Sequence, residues 1–220
     1  MAILVIDVGG THIKLKLQGV EEVRKCSSGL ELTPQKMIDV VHASTQDWNF
    51  DRVTIGYPGP VVDGSILSEP VNLACGWIGF DFASAFGRPV KLINDAAMQA
   101  LGSYEGGRML FLGLGTGLGT ALIYNNFMVP MELGHLPYKK GLSFEDYVGQ
   151  AGMKRLGRRK WMQAVFDVVA RLRSAFLCDY VVLGGGNVKK MDELPPGCRM
   201  GDNRNAFLGG FRMWDPTLKG

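Results

Sequence analysis

The sequence predicts an α/β protein with two similar lobes facing a central cleft. A strand–Gly turn–strand unit occurs twice. Residues 2–8 and 12–18 flank Gly9-Gly10-Thr11, while 109–114 and 120–125 flank Gly115-Thr116-Gly117-Leu118-Gly119. Around these units, short apolar runs alternate with helical patterns, as in α/β architecture. The chain's 220 residues suffice for one large domain or two small ones. Gly106-Gly107 marks the expected boundary between lobes 1–105 and 106–202.

Taken in order, the opening hairpin is followed by a third strand near 22–26. Thr33-Pro34 reads as an N-cap with proline at the first helical position, starting a helix to about Thr45. Arg52–Gly56 is a short buried strand, and Pro58, Gly59, Pro60 and Gly64 punctuate the loop after it. Phe80–Phe86 is expected as a helix, Val90–Ile93 as a strand and Ala96–Tyr104 as a helix. In the second half, Trp161–Phe176 has helical periodicity and Tyr180–Leu183 is a buried strand ending in three glycines. Asn187 is placed to open the next helix, and Asn203 to cap a last one running to about Trp214.

Composition excludes several classes. A net charge of +3 gives no reason to expect a nucleic-acid partner. No apolar run reaches the roughly 18 residues of a membrane span. The scattered Cys26, Cys75, Cys178 and Cys198 contain no C-x-x-C pair. With no leader pattern at the N-terminus, they fit a reducing cytoplasm. The basic cluster Lys154, Arg155, Arg158, Arg159 and Lys160 reads first as a solvated helix face.

Several residues carry candidate chemistry. Gly9 and Gly10 allow unusual φ values and close ligand approach. Backbone N–H groups, Thr11 and Lys14 then suit an anion, and Asp7 a hydrated Mg²⁺. An ordinary β-hairpin with Asp7 as a turn residue explains the same stretch equally well. Gly115, Thr116 and Gly117 form a second candidate phosphate loop. It is not a P-loop, because no Lys-Ser/Thr pair follows and a strand rather than a helix comes next. Gly184, Gly185 and Gly186 permit close approach of a base or ribose, although a plain strand-to-helix turn needs them too.

Asn94-Asp95 sits at a strand's C-terminal end, where α/β folds place ligands. A carboxylate there can deprotonate a hydroxyl, and a helix N-terminus is expected to lower its pKa. Helix capping is the plainer role. Glu132 and His135, three apart around Gly134, suit sugar hydroxyls or a metal ligand, or simply a surface turn. Glu145 fits a helix's first turn. Asn72 and Trp77 make an amide–indole loop suited to a sugar, although a tryptophan is more often core.

The ordered set DVGGTHIK (7–14), GYPGPV (56–61), NDA (94–96), GLGTGLGTAL (113–122), ELGH (132–135) and LGGG (183–186) resembles the ROK family of sugar kinases. The resemblance implies a two-lobed actin/hexokinase-like (ribonuclease H-like) fold, with helix 203–220 joining the first lobe. It implies a cytoplasmic kinase transferring a phosphoryl group from ATP or polyphosphate to a hexose, most simply the 6-hydroxyl of glucose. Asp95 would be general base and Asp7 would assist Mg²⁺ through water. Gly9, Gly10, Thr11 and Lys14 would surround the transferred group. Gly115, Thr116 and Gly117 would hold donor phosphates, and Gly184–Gly186 would border the adenosine. Asn72, Asn94, Asp95, Glu132, His135 and Glu145 would bind sugar.

Many family members carry a cysteine-rich zinc motif after the ELGH stretch. Leu136–Phe144 holds no cysteine, so no structural zinc is expected and His135 is free for sugar. This is similar to the polyphosphate glucokinase branch. About 50 residues separate Glu132 from LGGG, implying a trimmed second lobe. The partners expected are a sugar and a phosphoryl donor, with no nucleic acid and no membrane. A homodimer is common among such kinases. Lys139, Lys140 and the 154–160 run would form an anion track if they flank the cleft.

Two other readings compete. A non-catalytic ROK-like sugar sensor would place a helix-turn-helix before the core, yet this sequence opens on the first strand and retains Asp95. An ATPase of the actin or heat-shock type leaves Asn94, Asp95, Glu132 and His135 unexplained.

Overall fold

The computed structural model describes residues 1–218. Lys219 and Gly220, the end of the expected 203–220 segment, lie outside the described residues. The first sheet comprises β1 (Ile3–Val8), β2 (His12–Leu17), β3 (Val23–Ser27) and β4 (Arg52–Tyr57). After the small hairpin β5–β6 (Val61–Val62, Ser65–Ile66) comes its last strand, β7 (Val90–Asn94). The second sheet comprises β8 (Arg108–Leu114), β9 (Leu118–Tyr124) and β10 (Phe127–Met131). After the hairpin β11–β12 (Pro137–Lys139, Leu142–Ser143), it continues with β13 (Tyr180–Gly184) and β14 (Cys198–Met200).

Both sheets have the same connectivity. The orders are β3-β2-β1-β4-β7 and β10-β9-β8-β13-β14. In each, three antiparallel strands come first, then two strands join in parallel. The two strand–Gly turn–strand units found in the sequence therefore occupy the same place in two similar sheets.

Helices cover the sheets in layers. Strand β1 is buried on both faces, which explains its unbroken apolar run. On one face, Leu4, Ile6 and Val8 pack in a core with Met37, Ile38 and Val41 of α1 (Pro34–Ser44) and Phe82 and Phe86 of α2 (Phe82–Phe86). On the other, Ile3 and Val5 join α3 (Asp95–Ser103), α7 (Asn205–Arg212) and the Met109, Phe111, Ala121, Ile123 and Val182 face of the second sheet. The far face of that sheet, including Leu110, Leu112, Val181 and Leu183, packs on α6 (Arg158–Ala175). The paired helices α3 and α7 thus lie between the sheets. Short helices α4 (Phe144–Val148) and α5 (Gln150–Leu156) precede α6.

Several local expectations hold. The Thr33 hydroxyl accepts from Lys36 N–H, and Pro34 opens α1. The last helix differs from its expected start. It begins at Asn205 without a side-chain cap, because the Asp202 carboxylate pairs with Arg204 and takes over the entry turn from Asn203. The chain then ties back to the first sheet. Thr54 Oγ1 donates to Gly210 C=O (2.8 Å), Trp214 Nε1 donates to Thr54 Oγ1 (2.9 Å) and Lys91 Nζ donates to Met213 C=O (2.8 Å). Gly106 and Gly107 both have left-handed φ, +99° and +69°. Asp179 and Tyr180 anchor their flanks through Arg108 N–H and Glu105 N–H.

Candidate active site

Asp7 lies at the end of β1, in register with Lys14 on β2. Lys14 Nζ donates to Asp7 Oδ2 at 2.8 Å, and Asp7 is 8% exposed. Gly9 N–H donates to His12 C=O (3.0 Å), closing the turn. Neither Gly9 nor Gly10 takes a left-handed φ, so the expected need for unusual backbone angles is not why glycine stands there. The reason is proximity. A Cβ on Gly9 would lie 3.1 Å from His12 C=O, and one on Gly10 would lie 3.2 Å from Asn72 Cβ. Thr11 is exposed at the tip.

Asn72 reaches Gly10 from a loop that Glu69 organises, its carboxylate accepting from the N–H groups of Gly76, Trp77 and Ile78. Trp77 itself is wholly buried and donates Nε1 to Ala74 C=O, so it is core and not a sugar platform.

Asn94 ends β7 and caps α3. Its Oδ1 accepts from Ala96 and Ala97 N–H (3.0 Å each), and its Nδ2 donates to Gly59 C=O (3.0 Å). The expected sugar contact by Asn94 is thereby reduced to one uncommitted amide hydrogen. Asp95 follows, accepting from Ala96 N–H at 2.7 Å. Its acidity runs opposite to the expectation. Burial, then the nearby Asp7 charge, push its pKa up to about 7, with Glu132 adding to the rise. The Ala96 N–H bond and Lys14 oppose the shift without matching it. Desolvation and like charge outweigh the helix N-terminus.

The second glycine loop meets the helix that carries this carboxylate. A Cβ on Gly119 would lie 2.6 Å from Ala96 Cβ, so β9 packs directly on the first turn of α3. Gly115 and Gly186 face open space. Gly185 has φ +82°, and a Cβ there would overlap the Leu114 carbonyl, so glycine permits the close approach of β13 to the end of β8.

Asn187 joins the second and third glycine loops. Its N–H donates to Leu114 C=O (2.9 Å) and its Nδ2 to Gly115 C=O (2.8 Å). Its Oδ1 accepts from Lys190 Nζ (2.9 Å). The expected helix after Gly186 is only a 3₁₀ turn, Val188–Lys190, in which Asn187 makes no capping bond. Asn187 and Lys190 were not legible as site residues. The available signal was an amide immediately after a strand-end Gly-Gly-Gly.

Glu132, His135 and Glu145 form a third group. His135 Nε2 is 3.6 Å from Glu132 Oε2, and Nδ1 is 3.8 Å from Glu145 Oε1. Burial raises the Glu132 pKa; His135 opposes this and Glu145 adds to it. Glu145 lies in the first turn of α4 as its sequence context implied, within a Ser143–Asp146 capping box. Its Oε2 also accepts from Leu118 N–H (3.3 Å).

The basic residues divide. Arg158 donates to Lys190 C=O and pairs with Asp192, beside the third glycine loop. Lys139 is held by Asp167 (3.0 Å) and the Tyr138 hydroxyl (2.7 Å) against α6. Among the described residues, no group of three or more His, Cys, Asp or Glu is arranged to hold a metal. No described helix is long and apolar enough to cross a membrane.

The ROK family sequence model matches residues 3–153, more than half the chain. The chain belongs to the ROK family. Its relatives include a polyphosphate glucokinase of Mycobacterium tuberculosis, 28% identical over 214 residues, covering 87% of this chain and 80% of the relative. The inorganic polyphosphate/ATP-glucomannokinase of Arthrobacter sp. strain KM superposes with a TM-score of 0.78 at 25% identity, covering 95% and 96% of the two chains. The same fold is found in a ROK family glucokinase from Streptomyces griseus, solved with glucose and AMPPNP (TM-score 0.73, 18% identity, 97% and 99% covered). The two-lobed actin/hexokinase-like architecture expected from the sequence is the one present.

Proposed function

We propose that this ROK family chain is a hexose kinase that phosphorylates glucose on its 6-hydroxyl, with ATP or polyphosphate as donor. The observation that carries this reading is Asp95. Its carboxylate, poised at about 7, feels the charge of Asp7 from the first glycine loop, and its neighbour Ala96 packs on Gly119 of the second. A sugar hydroxyl there would lose its proton to Asp95 as its oxygen forms a bond to the terminal phosphorus. The P–O bond to the donor breaks, and ADP or a shortened polyphosphate leaves. Positioning and charge stabilisation dominate such transfers.

Glu132, His135 and Glu145, with Asn72 and the spare Asn94 hydrogen, would orient the sugar. Thr11 and the Gly10 amide would face the transferred group, while Gly9, its N–H committed to His12 C=O, would border it as a residue without a side chain. Gly115–Gly117 would hold donor phosphates and Gly184–Gly186 the adenosine. Lys14 is ion-paired to Asp7, so it would reach phosphate only as part of that pair. Magnesium keeps most of its water and takes one or two carboxylates plus substrate phosphates, which Asp7 fits. When bound, it would neutralise donor charge.

Lobes 1–105 with α7 and 106–202 would close about Gly106–Gly107, excluding water as competing acceptor. A reducing cytoplasm suits the four free cysteines. We expect a homodimer, measurable by light scattering.

An activity matrix of glucose, mannose and N-acetylmannosamine against ATP and polyphosphate, with Mg²⁺, tests the proposal. Glucose 6-phosphate from at least one donor is expected, and no turnover for any pair would overturn it.

Lys190, tied through Asn187 to Gly115, supports a polyphosphate path along this edge; Arg158, on the Lys190 carbonyl, would join it only by leaving its partner Asp192. Lys139, committed to Asp167, would contribute little. Lys190→Ala combined with Arg158→Glu should raise the polyphosphate KM by about tenfold and the ATP KM less, since several phosphates share these cations. Lys139→Ala should leave both within about twofold, given how little exposed ion pairs contribute. Unchanged polyphosphate kinetics in the double variant would remove this path.

A further inference from the structure

The short helix α4 and the two residues after it grip the second glycine loop along its length. Gln150 N–H donates to the carbonyls of Gly115 and Thr116 (3.1 Å each). Gly149 packs so closely that a Cβ there would lie 2.8 Å from Thr116 C=O and 3.2 Å from Gly117 Cα. Glu145 completes the grip. Its Oε2 accepts from Leu118 N–H at 3.3 Å and lies over Gly117, where a side chain would collide with it. The helix is itself fixed, since Trp161 Nε1 donates to Val148 C=O at 2.7 Å.

The other oxygen of the same carboxylate faces elsewhere. Glu145 Oε1 is 3.8 Å from His135 Nδ1, while the far side of that imidazole is 3.6 Å from Glu132. The turn carrying His135 is packed into the same corner: a Cβ on Gly134 would lie 2.9 Å from Leu118 C=O and 3.4 Å from Glu145 Cβ. One carboxylate therefore faces the sugar-side cluster with one oxygen and holds the donor loop with the other.

We propose that Glu145 is a positioning residue that couples sugar occupancy to the donor loop, so that bound sugar tightens donor binding. The inference rests on the kinase reading but adds to it: Glu145, placed to orient the sugar, also acts on the donor through the loop that holds it. Sugar hydroxyls that engage His135 fix the Glu145 carboxylate, which holds Gly117 and Leu118 in their binding geometry. Because coupling between two binding sites is reciprocal, the donor must tighten sugar binding by the same factor.

Calorimetric titration tests this on the full chain. AMPPNP with Mg²⁺ is titrated with and without glucose, and glucose with and without AMPPNP. In the wild type, glucose should tighten the donor probe by about tenfold, and the converse factor should agree. Glu145→Ala should bring both factors near one and raise donor KM. Glu145→Gln keeps an oxygen for Leu118 N–H and an amide for His135, and should restore most of the coupling. His135→Ala, at a side chain 68% exposed and so tolerant of truncation, should cut the sugar end of the link. Independent binding in the wild type, or coupling unchanged in both Glu145→Ala and His135→Ala, would overturn the proposal. Loss of the kinase reading would register separately, as absent turnover in the wild type.

Discussion

Asp95→Asn should lower kcat by about 10²–10⁴-fold, the usual contribution of a positioned general base, while glucose KM changes only a few-fold. The amide keeps the size of the side chain but cannot take a proton. The wild type should show a pH limb that the variant lacks. With Asp95 at about 7 in the free protein, kcat/KM should rise with pH through that value and level off above it.

Stability should move the other way. A carboxyl raised from 3.8 to about 7 binds more protons folded than unfolded between those values, so its contribution is full below 3.8 and is lost as pH rises to about 7. Above pH 7 the wild type holds a desolvated charge beside Asp7, which the neutral amide of the variant relieves. Asp95→Asn should therefore melt higher than wild type at pH 8 and the same or lower at pH 4. Undiminished phosphorylation by the variant, or a surviving limb, would remove Asp95 from the base's role. A retained Asp95 that turns over sugar also separates this chain from a sugar sensor.

The frame of the site was legible because it is local. Asp7-Val8-Gly9-Gly10-Thr11 and Gly115–Gly119 are strand-turn-strand units whose geometry depends on adjacent residues, and Thr33-Pro34 states a helix start in two positions. What stayed hidden depends on contacts distant in sequence. The raised pKa of Asp95 needs Asp7 and Glu132, on other strands and loops, to share its desolvated corner. Asn187 looks like a helix opener until β13 is paired with β8, which brings it to Gly115. Asn203 lost its expected cap to a competing neighbour, Asp202. Edge strands β10 and β14 were missed because one contains Pro130 and the other spans only three residues, both weak signals of strand.

Gly209→Ala should be among the most destabilising single methyl additions in the chain. Helices α3 and α7 meet with Gly102 and Gly209 in contact: a Cβ on Gly209 would overlap Met98 C=O, and one on Gly102 would overlap Asn205 C=O. The obstacle is helix backbone, not the end of a flexible side chain, so the whole crossing must open. Overpacking costs about 1–3 kcal/mol, and rigid backbone places this case at the upper end. Helix propensity returns about 1 kcal/mol for Gly to Ala. The net loss is then about 2 kcal/mol, or a Tm drop of about 4–8 °C in a chain of this size. Gly186→Ala, where a Cβ meets open space, should stay within about 0.5 kcal/mol of wild type. The consequence extends to catalysis, because α3 carries Asp95 at its first turn and packs on both sheets. Gly209→Ala should therefore lose kcat below its melting transition, without a shift of the pH limb. A variant with wild-type Tm would mean that the two helices are free to separate.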